Sequence, residues 1–145
     1  MDTYEIYEKK CEEIRRINAE LLGMFEKDLS SLSPKTIKKH LYNVDFYINE
    51  YLLHYDAQTM EHGIEMIDDF LGYFFIRKCV WSTPATIKST AASIKKFYKC
   101  MMEHGKIPKE DYERFCIEIR MGMEEWQNDC AIYNDPDAED SFMMF

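Results

Sequence analysis

The sequence predicts an all-α fold, a compact bundle of about five helices, and three observations lead there. Apolar residues recur at spacings of three, four and seven along most of the chain, the period of one helix face. Only five glycines and four prolines occur in 145 residues, too few to punctuate many short strands. Two pairs, Ser33-Pro34 and Thr83-Pro84, have the chemistry of a helix start: a hydroxyl cap, then a residue whose missing N–H costs nothing in the first turn. With 46% hydrophobic and 14% aromatic residues, the chain can build one domain with its own core.

The first helix is expected over 3–28, with Tyr7, Cys11, Ile14, Leu21 and Phe25 as its stripe and Ile17 and Met24 widening it. The second runs from the Ser33-Pro34 start to about Tyr55 and buries Ile37, Leu41, Val44, Ile48, Leu52 and Tyr55. After a polar connection over 56–63, the third covers 64–79 with Ile64, Ile67, Leu71 and Phe74 inward. Met66, Phe70 and Tyr73 make it apolar round more than half its girth, the mark of the most buried element. The fourth runs from Pro84 to about Glu103 on Ile87, Ala91, Ile94, Tyr98 and Met101; Gly105 suits its C-terminal cap and Pro108 prevents continuation. The fifth covers 109–132, with Tyr112, Phe115, Ile119, Met123, Trp126 and Cys130 inward. Residues 1–133 thus form one helical domain. Residues 134–145 read as an acidic, flexible tail whose end, Phe142-Met-Met-Phe145, is apolar enough to dock on a partner or on the chain's own core.

Several classes are excluded. No run reaches the roughly 18 apolar residues of a membrane span, and the N-terminus lacks the basic and apolar regions of a secretory signal. A cytoplasmic protein is expected. The five cysteines are odd in number and show no CxxC, so disulfides are not expected. No Gly-rich phosphate loop, HExxH or EF-hand pattern occurs, and no cofactor is implied. Glu12-Glu13, Asp68-Asp69 and Glu124-Glu125 are sequence neighbours, which do not face each other on a helix and make poor acid/base pairs. Tyr42, Tyr47, Tyr51 and Tyr98 read as packing residues and not nucleophiles. Cys100 and His104 are one turn apart with Cys116 further on, but structural zinc sites use tighter pairs, so these read as buried cysteines and a surface histidine.

Charge and an internal repeat single out two helices. Ser33-Pro-Lys-Thr-Ile-Lys38 matches Thr83-Pro-Ala-Thr-Ile-Lys88 at an offset of 50, and the apolar positions continue in step: Leu41 with Ala91, Val44 with Ile94, Tyr47 with Phe97. The plainer explanation is that Ser/Thr-Pro is a common helix start. The net charge is −9, yet residues 77–102 carry six basic and no acidic groups, while 103–145 carry four basic and twelve acidic. Lys88, Lys95 and Lys99 lie along one edge of the fourth helix, with Lys96 one position round. Thr83, Thr86, Ser89 and Thr90 add hydroxyls at its start. A helix N-terminus with hydroxyls and nearby lysines suits a phosphate; a solvated lysine face is the alternative.

Three segments together carry a resemblance: Leu32-Ser-Pro-Lys-Thr-Ile-Lys-Lys-His-Leu-Tyr42, Ile64-Glu-Met-Ile-Asp-Asp-Phe-Leu-Gly-Tyr73, and Ser82-Thr-Pro-Ala-Thr-Ile-Lys-Ser-Thr-Ala-Ala-Ser-Ile-Lys-Lys-Phe-Tyr98 running on to Met102-Glu-His-Gly-Lys-Ile107. Over roughly 30–108 the chain resembles the N-terminal SAM-like, or core-binding, domain of phage integrases and other tyrosine recombinases. The resemblance implies a four- or five-helix bundle that forms one jaw of a clamp on DNA, its two Ser/Thr-led helices facing the duplex. Carried over, the contact residues are Ser33, Lys35, Thr36 and Lys39 on one helix and Thr83, Thr86, Lys88, Thr90 and Lys95 on the other; the charge map adds Lys96 and Lys99. Only 37 residues follow Pro108, too few for the family's catalytic domain, so no enzyme activity is expected of this chain.

The expectation is a non-catalytic module that binds double-stranded DNA, an accessory to integration or recombination with a recombinase or a second copy as protein partner. The alternative is a protein–protein module without DNA affinity, the first and fifth helices forming a homodimer or partner interface that includes Trp126. A remnant of a mobile element with no activity is a third possibility.

Overall fold

In the computed structural model, which describes residues 2–138, the chain is all-helical and its order matches the sequence. Helix α1 spans Thr3–Asp28, capped by the Asp2 carboxylate, which accepts from the Glu5 N–H at 2.8 Å. Helix α2 spans Pro34–Asp45 and passes directly into a π turn, Phe46–Tyr51. A 3-10 segment, Met60–Glu65, precedes α3, one rod over 67–78 whose ends are α and whose middle, Phe70–Phe74, is π. Helix α4 spans Pro84–Glu103 and α5 spans Lys109–Asn134. No strand occurs among the described residues, and no helix there is long and apolar enough to cross a membrane.

The core forms where α2, α3, α4 and α5 converge, and α1 closes it from one side. The fourth-helix stripe is as expected: Ile87, Ala91, Ile94, Tyr98 and Met101 are all buried, and Gly105 adopts a positive φ of 73° beyond the helix end. The α1 stripe differs at one position. Ile17 is exposed, and the buried residue is Asn18, which continues the four-three spacing of Tyr7, Cys11, Ile14, Leu21 and Phe25. Its amide donates to Asn49 Oδ1 at 2.7 Å and to the Ile48 carbonyl at 3.3 Å, so a polar residue is satisfied inside the seam.

The two π turns explain why the second and third helices depart from a plain α pattern. Tyr47, Ile48, Tyr51, Leu52 and Leu53 are all buried, as are Phe70, Leu71, Phe74, Phe75 and Ile76. Such dense sets exceed one α stripe, and the wider turn rotates more residues inward. The turns pack on each other: Phe70 lies 4.8 Å, centroid to centroid, from both Tyr47 and Tyr51, and Phe74 lies 4.9 Å from Tyr51. Tyr55, expected inward, lies beyond the rotated turn and is exposed; Tyr73 is exposed too, under the Arg77 guanidinium. Tyr47 and Tyr98 donate to the carbonyls of Gly63 and Met60, which packs the 3-10 segment against the core.

Asn134, placed in the tail by the sequence, is still helical, and its amide donates to the Ser82 carbonyl at 2.6 Å. The apolar end, Phe142 to Phe145, lies outside the described residues.

Candidate nucleic-acid interface

The two repeat-related helices, α2 and α4, pack against each other. They meet through equivalent positions: Asn43 donates to Ser93 Oγ at 3.0 Å, across an offset of 50 residues. Ser93 is fully buried, and its hydroxyl lies 3.2 Å from the Ser89 carbonyl and 2.8 Å from His40 Nδ1. With the hydroxyl proton directed to Ser89, Nδ1 of His40 is the donor to Ser93. His40 titrates below the ordinary histidine range, first because the junction desolvates it, then because Lys96 and Lys39 repel its charged form. The charge of one lysine from each repeat unit therefore acts on the same imidazole.

The helix starts have the predicted chemistry, and that chemistry occupies their hydroxyls. Ser33 Oγ accepts from the Thr36 N–H and donates to Thr36 Oγ1. Thr83 Oγ1 accepts from the Thr86 N–H at 3.1 Å while Thr86 Oγ1 accepts from the Thr83 N–H at 2.7 Å, a reciprocal capping box. Ser89 Oγ donates to the Thr86 carbonyl. Thr90, carried over as a contact residue, is buried and unavailable to a ligand. One step of an α-helix turns the chain by about 100°, and Thr90 falls on the same side as Ile87, Ala91 and Ile94, against the core.

The lysines remain. Lys35 and Lys39 on α2 and Lys88, Lys95, Lys96 and Lys99 on α4 are exposed, and among the described residues none has an ion-pair partner. Lys38, which the sequence reading passed over, is exposed on the same helix as Lys35 and Lys39. His40, Asn43 and Ser93 were also passed over; the signal that finds Asn43 and Ser93 is the repeat offset itself.

Negative charge gathers elsewhere. Asp68, Asp69, Glu125 and Asp129 line one recess between α3 and α5, where Trp126 donates to Asp68 Oδ1 at 2.7 Å. Glu118 on α5 titrates above the usual carboxylate range, through partial burial and then repulsion from Asp68 and Glu65. Where α5 reaches the start of α4, it presents neutral amides: Gln127 donates to the Pro84 carbonyl at 2.9 Å and Asn134 to the Ser82 carbonyl.

Two further sites adjoin the lysines. A cleft of about 450 Å³ between the ends of α1 and α4 contains Asp28, Cys100 and His104, with Lys96 and Lys99 on its wall. These three are the one grouping of metal-ligand side chains among the described residues; Cys116 is not part of it. An open apolar cleft of about 950 Å³ lies between α1 and α2, lined by Leu22, Ile37, Leu41 and Tyr42. Tyr42 is exposed there, whereas Tyr47, Tyr51 and Tyr98 are packing residues as expected. Trp126 is buried within the chain, which removes it from the partner interface for which its helix was considered. Compared with known proteins, the chain matches no family model, no curated protein and no solved structure.

Proposed function

We propose that this chain is a non-catalytic module that binds duplex DNA along the outer faces of α2 and α4, as an accessory to DNA integration or recombination of the kind its resemblance implies. The observation that carries the reading is the set of exposed lysines on the two packed, repeat-related helices, Lys35 and Lys39 on α2 and Lys88, Lys95, Lys96 and Lys99 on α4, none with a carboxylate partner among the described residues. Lysines arranged in this way neutralise phosphates and release counterions; they orient a duplex without reading its sequence. The capped starts at Ser33 and Thr83 set the two helices in place, so the hydroxyls act on the protein and the ammonium groups act on the ligand. Separation of the acidic recess from this surface supports the same reading, because a net charge of −9 then does not decide what the basic face meets.

Fluorescence anisotropy with a random-sequence duplex tests it, at about 50 and about 200 mM salt, since a phosphate-driven complex weakens steeply over that range. Binding is expected at the lower salt. The Lys39→Ala/Lys96→Ala double variant is expected to lose affinity and to lower the salt slope by about 2, near 0.9 per phosphate contact removed. No binding at low salt would sink the proposal.

The apolar cleft between α1 and α2 favours one alternative, a protein-association module. A concentration-dependent dimer in sedimentation, lost on Leu41→Glu and accompanied by no DNA affinity, would favour that reading instead.

A further inference from the structure

Asp28 is the last residue of α1; Cys100 and His104 are four positions apart at the end of α4. His104 Nε2 lies 3.1 and 3.4 Å from the two Asp28 carboxylate oxygens. One ligand atom from each residue lies within 4.8 Å of the other two. In a four-coordinate zinc site, metal–ligand distances of about 2.0–2.3 Å place the ligand atoms about 3.5 Å from one another. The three side chains therefore need to close only slightly to share an ion. His104 and Asp28 are half exposed, so they are free to make that adjustment, whereas Cys100 is buried and fixed by the core.

We propose that Asp28, Cys100 and His104 bind one divalent transition-metal ion of the zinc class, with the fourth position open to the cleft. The donor set selects the class. A thiolate with an imidazole and a carboxylate suits Zn(II) or Co(II), and disfavours Mg(II) and Ca(II), which take oxygen ligands. On binding, the Cys100 S–H bond breaks, the sulfur–metal bond forms, and the proton leaves to the solvent without any change of oxidation state. The two ligand anions balance the two positive charges of the ion. Lys96 and Lys99 oppose a cation in the cleft, and Glu103 on the same wall offsets one of them. The ion joins the end of α1, which lies outside the recombinase-like segment, to the end of α4 inside it, so its structural effect is to clamp the flanking helix to the module.

The test is titration of chelator-treated protein with Co(II), followed by absorbance and by thermal denaturation. One equivalent is expected to give a thiolate-to-cobalt charge-transfer band with the visible bands of a tetrahedral ion, to be displaced by Zn(II), and to raise the melting temperature. Cys100→Ser is expected to abolish the charge-transfer band, and His104→Gln and Asp28→Asn each to weaken binding at least tenfold, while Cys116→Ser leaves it unchanged. Asp28 and His104 are far enough exposed that their variants stay folded, which keeps the test decisive if Cys100→Ser does not fold. Absence of the band at saturating Co(II), or binding that survives substitution of Asp28 and His104, would overturn the proposal.

Discussion

The α2–α4 and α3–α5 junctions are both helix crossings closed by a polar contact, and they handle charge in opposite ways. At the α2–α4 junction the contact is neutral, Asn43 and His40 on Ser93, and the lysines stand outside it without carboxylate partners among the described residues. At the α3–α5 junction a carboxylate enters the contact itself: Asp68 accepts from the indole of Trp126, a side chain 1% exposed. The Asp68 carboxylate there is used in holding the fold, while the lysines of α2 and α4 make no ion pair among the described residues. One junction builds charge into a packing contact and the other leaves its charge on the surface.

The largest expected effect breaks the acidic junction. Trp126→Ala removes the largest fully buried side chain and leaves Asp68 without its donor, and a loss of about 3–5 kcal/mol is expected in urea unfolding. Under the proposed function, DNA binding by the folded fraction is expected to survive, because the lysines lie on α2 and α4. Packing around the indole is tight enough to show on the glycine facing it. A Cβ on Gly122 would fall 2.4 Å from Trp126 Cζ2, whereas a Cβ on Gly23, in α1, meets nothing within 4 Å. Gly122→Ala is therefore expected to destabilise by about 1–3 kcal/mol through overpacking, and Gly23→Ala to stabilise by up to about 1 kcal/mol through helix propensity. Equal effects at the two sites would contradict the contrast in packing.

At the basic junction the comparable change is smaller. Ser93→Ala deprives Asn43 and His40 of their shared partner in a buried crossing, a cost of about 1–2 kcal/mol by equilibrium unfolding. If the crossing also sets the spacing of the lysines, the same variant weakens DNA binding with the protein still folded.

Much of the fold was legible in the sequence, because helix stripes and caps are local. The capped starts at Ser33 and Thr83 and the α4 stripe lie where the residues place them. The misses share a physical cause. Ile17 widens the expected stripe and Asn18 is not in it, but the hydrogen bonds of Asn18 to Ile48 and Asn49 hold that residue inward. The π turns were invisible because their signal, too many apolar residues for one stripe, also fits an ordinary buried helix. Thr90 was carried over by motif position and lost by helix phase. Asp28 could not be joined to Cys100 and His104, since 76 residues separate it from the histidine and only the fold brings them together.

The smallest expected effect is a pH dependence that distinguishes a working basic junction from an inert one. His40 in the folded protein holds its proton less tightly than the ordinary value of 6.5, through burial, Lys96 and Lys39. The unfolded chain therefore takes up the proton first as pH falls. The stability tied to neutral His40 is complete above about 6.5 and is lost as pH falls from there through the lower folded value. His40→Gln removes this contribution, so the wild type should lose more stability than the variant between pH 7 and 5; the titration of other groups, Glu118 included, is common to both proteins. A DNA phosphate beside Lys39 and Lys96 reverses the local field and favours the imidazolium. Binding then takes up a proton, and wild-type affinity rises as pH falls through the His40 transition, while that of His40→Gln stays flatter. Two proteins with parallel affinity–pH curves would show that no phosphate sits at this junction, even if DNA binds elsewhere on the chain.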